Sequence, residues 1–287
     1  MDWKDYEDQV FEILSTQHRH DYITKNYKIK GRYSNRSRQI DIFIKINTKV
    51  GDSTIVVDCK HYNKKINIKT VESFISMIDD IGADYGIIIS DLGYTKSAIH
   101  RAFNNPKGVE LDIFSLNELY DYMHAESAMP YAGDNMALIL APFGWIVDGK
   151  KRDIPAVCHL YKRGLTFEEA LASGEFAYVN FWKSDDPNFS IEELSRIQEK
   201  NILNIYNQKI DKVEFYDAEC KFGQDAKIRI IKTANYPFIE ITGFIKFSDS
   251  IFFYVCNSLP LYEKRNLRKT HVFLKNALPF KVNISHG

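Results

Sequence analysis

The sequence predicts an α/β protein. A mixed sheet flanked by helices fills the N-terminal part, and a second α+β domain follows. Three observations carry this reading. Ile40-Asp41-Ile42-Phe43-Ile44-Lys45-Ile46 alternates strictly, which marks a strand with four isoleucines on one face. Tyr85-Gly86-Ile87-Ile88-Ile89 is short and apolar throughout, the pattern of a strand buried on both faces. Apolar residues recur at helical spacing over 3–18 and again over 68–82.

The elements follow in order. Trp3, Tyr6, Val10, Ile13 and Leu14 form the stripe of the first helix. Two short strands are expected next, the clearer being 40–46. Gly51-Asp52 is a turn, and Ile55-Val56-Val57-Asp58-Cys59-Lys60 is a β-branched strand. Val71, Phe74, Ile75 and Ile78 line one side of the helix over 68–82. After 85–89, Thr95 caps a helix from 96 to about 104. Gly108 to Phe114 is a further strand and Leu116–Met123 a last helix. The order α-β-β-β-α-β-α-β-α fits a mixed sheet with helices on its faces.

Domain bounds follow from texture. Residues 1–124 form the first domain, 125–135 are small, polar and turn-rich and read as a linker, and 136–287 form the α+β domain. In that second part, strands are expected near 137–147, 175–182, 212–221, 226–232, 238–247 and 251–257, with a helix near 190–207. Gly243 marks a candidate bulge. Lys264, Arg265, Arg268, Lys269 and His271 form a basic cluster, read first as an exposed charged face and second as a contact to DNA or a partner.

The chain has 287 residues, 45% apolar and 14% aromatic, which excludes extensive disorder. No apolar run approaches the ~20 residues of a membrane-spanning helix, and the charged start lacks the apolar core of a secretory signal. Cys59, Cys158, Cys220 and Cys256 have no C-x-x-C spacing, so neither a zinc ribbon nor a disulfide framework is expected, and a reducing cytoplasm is the default location. Lysine plus arginine balance aspartate plus glutamate at 38 each. That argues against a general polyanion binder. The balance is global and not local, however: thirteen basic residues lie between Arg19 and Lys69 against four acids, an excess of nine. Such a face can hold a polyphosphate on a neutral protein.

The chemistry centres on this window. Asp58 and Lys60 share a strand face, while Cys59 points the other way. Asp41 lies 17 residues upstream on the preceding strand, and neighbouring strands are only ~4.8 Å apart, so the two carboxylates can converge. Close carboxylates repel and raise each other's pKa, and a divalent cation relieves that conflict. Mg²⁺ prefers oxygen ligands, one or two carboxylates with phosphate and water. Lys60 supplies a point charge for a phosphate, and Glu7 on the first helix is a third candidate acid. The reaction this suggests is phosphodiester hydrolysis. An isolated Asp-x-Lys is common in charged proteins, so the surrounding sequence decides.

That sequence resembles the PD-(D/E)XK nuclease superfamily, and more closely the Mrr-like restriction endonuclease catalytic domain. The matching residues, over about 3–122, are Tyr6-Glu7, Arg38-Gln39-Ile40-Asp41, Asp58-Cys59-Lys60-His61-Tyr62, Ala83-Asp84-Tyr85 through Ser90, Gly93-Tyr94-Thr95, Ala98 and Val109-Glu110-Leu111. The resemblance implies a restriction-endonuclease-like fold and metal-dependent DNA cleavage with Mg²⁺ or Mn²⁺. It implies that Asp41, Asp58, the backbone carbonyl of Cys59 and Glu7 hold the metal, with Lys60 as the catalytic lysine. Two departures stand out. Asp58 replaces the glutamine common in Mrr-like domains, and Arg38-Gln39-Ile40 replaces a glycine pair before Asp41.

Arg32, Arg36, Arg38, Lys64, Lys65 and Lys69 flank these residues and are the candidate DNA contacts. Gln39 either supports Asp41 or faces solvent. His18, His20 and His61 lack metal-like pairing and are expected to be exposed or satisfied. Tyr62 either packs or stacks on a base. DNA is the expected partner, without a membrane, and a homodimer or association with other defence proteins is compatible with the chain. Three functions fit: an endonuclease of restriction or defence, a nuclease of repair or recombination intermediates, or a non-catalytic DNA-binding protein that kept the fold.

Overall fold

A computed structural model describes residues 2–47, 52–104, 110–119, 127–153, 155–184, 186, 189–206, 209–234 and 236–282. The chain divides into two compact units, 1–124 and 125–287.

In the first unit, helix α1 (Trp3–Gln17) opens with a capping box between Asp2 and Asp5 and buries Tyr6, Val10, Ile13 and Leu14. Strands β1 (Tyr22–Lys30), β2 (Ser37–Ile46) and β3 (Ser53–Lys60) are antiparallel neighbours. Helix α2 (Ile68–Ile81) is capped by Asn67 and ended by Gly82 at φ 68°, a left-handed turn that glycine adopts freely. Strand β4 (Tyr85–Ser90) is buried along its whole length, as its apolar run requires. Helix α3 (Lys96–Phe103), capped by Thr95, leads to β5 (Glu110–Phe114). The sheet order is β1-β2-β3-β4-β5, with β3, β4 and β5 parallel. This is a mixed sheet of restriction-endonuclease-like type. Its core joins Ile40, Phe43 and Val56 to Val71, Phe74, Ile75 and Ile78 of α2 and Ala98 of α3. The last expected helix of this unit is helical over 116–119, and residues 120–123 lie outside the described residues.

The second unit is α+β and largely antiparallel. The stretch expected as a linker, 125–135, instead carries β6 (Ser127–Ala128) and β7 (Tyr131–Ala132), which pair with β8 (Asn135–Leu140). Its turn residues build a short-stranded fold rather than a spacer. The expected strand 137–147 is broken at Pro142-Phe143-Gly144, so β9 (Trp145–Asp148) starts anew. Next come β10 (Cys158–Lys162), helix α4 (Phe167–Ser173), β11 (Phe176–Lys183) and helix α5 (Ile191–Tyr206). The chain continues through β12 (Ile210–Asp217), β13 (Asp225–Thr233), β14 (Ile239–Phe247), β15 (Ser250–Ser258), helix α6 (Glu263–Asn276) and β16 (Leu278–Lys281). A seven-stranded sheet runs β12-β13-β14-β15-β11-β10-β9, two meanders joined along β11 and β15. A smaller sheet pairs β8 with β16 and β6.

Two expectations for this unit are corrected. Gly243 forms no bulge, since its register is continuous with Ile228 on one side and Tyr254 on the other. A Cβ there would lie 2.9 Å from Leu274, so glycine lets α6 seat on the sheet. The basic cluster of α6 is not an exposed face either. Arg265, Lys269 and His271 are buried. Arg265 pairs with Glu175 and lies 4.0 Å from the centre of the Tyr262 ring, and the Lys269 ammonium stands 4.7 Å from that of Trp145. A helix that hides charged side chains shows no apolar stripe, which is why its sequence did not announce it. On the opposite sheet face the fully buried Arg229 ties β13 to α5 through the Ser195 carbonyl and hydroxyl, and also reaches Gln198, Glu240 and Thr242.

Candidate active site

The site lies where β2 and β3 run side by side. Their register pairs Ile42 with Val57, which sets Asp41 across from Asp58 one step further along. The Cys59 amide donates to Asp41 Oδ2 at 2.8 Å, so this acid is anchored to the backbone of the strand that carries its partners. Lys60 Nζ donates to Asp58 Oδ1 at 2.6 Å, as expected for residues two apart on one strand face. Both side chains keep a little contact with water, 20% of the surface of Lys60 and 17% of that of Asp58. The three residues therefore share one locality. Helix α1 adds Glu7, which feels the charges of Asp41 and Lys60.

Electrostatics mark the place. Burial pushes the Asp58 carboxyl up to about 6. The Lys60 ammonium opposes that rise, and Asp41 adds to it through its charge and a side-chain hydrogen bond. Burial likewise raises Glu7, with Asp41 and Asp8 acting in the same sense. Burial works against the Lys60 ammonium, but the Asp58 carboxylate outweighs it and holds this pKa above the ordinary lysine value. Burial and the neighbouring acids put the Cys59 thiol well above its usual range. The thiol is inert here, and only its backbone matters.

The donor set suits a hard divalent cation. Two carboxylates from facing strands stand together at a place where negative charge is disfavoured, and a cation stabilises what burial and mutual repulsion destabilise. Among the described residues no three His, Cys, Asp or Glu side chains form a ready metal cage. Glu7 is thus an electrostatic neighbour that completes no such cage. A site of two carboxylates fits Mg²⁺, which keeps water and phosphate oxygens in its shell.

Around this centre the structure adds residues the sequence reading did not single out. Asp91, just past β4, pairs with His61 Nδ1 at 2.7 Å, and the His61 ring stands 5.5 Å from that of Tyr6. The parallel register aligns Lys60 with Ser90, so the residues after each come together at the C-terminal edge of the strands. That edge is where ligands gather in parallel sheets, and it was the signal available. His18 is likewise satisfied, by Asp21 at 3.0 Å, while Gln39 is exposed and donates to Asn26. The Lys60 ammonium lies 5.8 Å from the centre of the half-exposed Tyr62 ring.

The six candidate DNA contacts divide. Arg38 donates from Nε to Asp80 Oδ2 at 3.0 Å, and Arg32 donates to the Gly82 carbonyl at 3.3 Å. Both hold the turn between β1 and β2, and Arg38, a candidate DNA contact, is paired there with Asp80. Arg36, Lys64, Lys65 and Lys69 are exposed.

The mixed five-stranded sheet and its flanking helices are consistent with a restriction-endonuclease-like fold. Residues 1–123 match the family model Mrr_cat, described as restriction endonuclease. Comparison with curated proteins gives no match. Solved structures that resemble the chain include the protein of unknown function AF1548, at 12% identity and a TM-score of 0.33, covering 43% of this chain and 68% of that one. A second is cyanobacterial PsbP (CyanoP) from Synechocystis sp. PCC 6803, at 10% identity and a TM-score of 0.37, covering 54% and 94%. A third is the DNA modification-dependent restriction endonuclease AspBHI, at 12% identity and a TM-score of 0.29, covering 40% of this chain and 29% of that one. At these scores none of the three bears on function. No helix among the described residues is long and apolar enough to cross a membrane.

Proposed function

We propose that the N-terminal unit is a Mg²⁺- or Mn²⁺-dependent DNA endonuclease acting in restriction or defence against foreign DNA in the cytoplasm. The observation that carries this is the meeting of Asp41 and Asp58 beside a protonated Lys60 at the strand ends. Asp41, Asp58 and the Cys59 carbonyl hold the cation, with Glu7 alongside. When bound, it polarises a phosphoryl oxygen and lowers the pKa of a water that attacks in line. Lys60 stabilises the charge that develops on the phosphate. Arg36, Lys64, Lys65 and Lys69 each take a phosphate of the duplex.

A specific protein–DNA interface buries ~1,000–2,500 Å² of protein surface, more than one basic strip offers. The second unit supplies targeting, regulation or assembly, alone, through a homodimer or with other defence proteins. The test is cleavage of circular and linear DNA by the full chain with Mg²⁺ or Mn²⁺, alongside Asp58→Ala and Lys60→Ala. Metal-dependent cleavage lost in both variants supports the reading. Cleavage retained in both places the activity elsewhere.

A further inference from the structure

Asp80, near the end of α2, holds the turn between β1 and β2. Its Oδ1 accepts the amides of Tyr33 at 3.0 Å and Ser34 at 2.9 Å. Its Oδ2 accepts the Ser34 hydroxyl at 2.5 Å and Arg38 Nε at 3.0 Å, and its carbonyl accepts the Arg32 amide at 2.6 Å. The turn closes on itself as well, with Gly31 N–H to the Arg36 carbonyl at 2.8 Å and Asn35 in the left-handed region at φ 57°. The fit is close enough that a Cβ on Gly31 would fall 2.2 Å from Asp80 Oδ2. Such a turn is fixed by a buried carboxylate, not by packing of its own side chains.

What it presents is Tyr33. This side chain is 78% exposed, the most exposed of the large apolar and aromatic side chains among the described residues. Arg36, three residues on, points its charge to solvent without an acidic partner among the described residues. A rigid backbone carrying an unpacked aromatic ring and a cation is poorly explained by stability. It matches what nucleic-acid binders use: ring faces for bases, arginines for phosphates. Strand β2 links the turn to the cleavage centre. From Arg36 to Asp41 the chain advances about 17 Å at ~3.3 Å per residue, close to half of the ~34 Å turn of B-form DNA. A duplex of one helical turn held at Asp41 and Asp58 is long enough to reach the β1–β2 turn.

We propose that the β1–β2 turn is a base-contacting tip, in which Tyr33 stacks on a nucleobase drawn out of the stack of the bound DNA while Arg36 holds an adjacent phosphate. The proposal rests on the nuclease reading above. Its test uses the full chain carrying Lys60→Ala with Mg²⁺, so that DNA is bound and not cut. The probes are short duplexes with 2-aminopurine at successive positions, titrated at several salt concentrations.

Adding Tyr33→Ala should weaken binding about 5- to 100-fold, the range for loss of one stacked base, and should abolish the 2-aminopurine response at one or two positions. The slope of log affinity against log salt should stay the same. Tyr33→Phe should restore both affinity and response. Arg36→Ala should instead reduce the slope by about 0.9, one phosphate. Tyr33→Ala binding as tightly as its parent, or losing affinity with no change in any fluorescence response, overturns the base-contacting role and leaves the nuclease reading standing. A parent that binds no duplex, together with a native chain that cuts none, overturns both.

Discussion

Replacing Asp58 by asparagine should make the protein more stable at pH 8 while removing its activity. The carboxyl is raised from 3.8 to about 6 in the folded state, chiefly by burial, with Asp41 nearby. Each pKa unit is about 1.4 kcal/mol, so holding this group ionised destabilises the fold by at most about 3 kcal/mol. Asparagine keeps the shape and drops the charge. Some of the gain is offset because Lys60 loses its partner. A net gain of about 1–2 kcal/mol is expected, roughly 4 °C per kcal/mol for a unit of this size.

The pH dependence fixes the cause. Above about pH 7 the carboxyl is ionised in both states and the full penalty applies. As pH falls through 6 the folded state takes up the proton first, and the penalty fades until the unfolded chain is protonated too, near 3.8. Calorimetry in metal-free buffer should therefore show the advantage of Asp58→Asn at pH 8, smaller at pH 6 and nearly gone at pH 4. An asparagine variant no more stable than the parent at pH 8, or one whose advantage is the same at pH 4, would refute the account of Asp58 as an ion held against its environment.

Other expectations are narrower. Lys60→Ala should lower cleavage by at least about 100-fold while Mg²⁺ binding, followed by calorimetric titration, survives, because lysine acts on the phosphate and not on the cation. Equal loss of both would make Lys60 a structural partner of Asp58. Hydrogen bonds hold the Asp80 carboxyl below the usual carboxylate range, so Asp80→Asn should lower the melting temperature at pH 7, with the difference shrinking as pH falls below about 4. A difference as large at pH 2 as at pH 7 would point to packing instead. Arg229→Ala should cost about 3–5 kcal/mol in the second unit, since it leaves Glu240 and the Ser195 carbonyl without their buried donor. Denaturant unfolding reads this directly, and a loss under 1 kcal/mol would contradict it. Gly243→Ala should cost about 1–3 kcal/mol by crowding Leu274, and Leu274→Ala in the same chain should recover part of that. Additive losses would show that the two do not touch.

Much of the first unit is legible in its sequence because local pattern and burial agree there. The alternation at 40–46 and the apolar run at 85–89 each have one physical solution, and β2 and β4 occupy those positions. The pairing of Asp41 with Asp58 followed from strand spacing alone. Asp91 did not, because its meeting with His61 depends on the parallel register of β3 and β4, which joins residues 30 apart with no pattern between them. The pairing of Arg38 with Asp80 was hidden for a similar reason, since the two lie 42 residues apart. Among the elements missed in the second unit are α6 and β10. The first buries arginine, lysine and histidine, and the second, Cys-His-Leu-Tyr-Lys, alternates in neither period.

The bond from the Cys59 amide to Asp41 makes the chemistry and the strand register one and the same property. Asp41 cannot be repositioned by a side-chain rotation alone without giving up that bond, so the alignment of β2 on β3 is what brings the two acids together. A single residue inserted within either strand turns every side chain beyond it to the other face and separates the acids at once. The reach of the site's chemistry is thus set by backbone pairing, and a change of register in one strand has to be matched in the other for the acids to stay together.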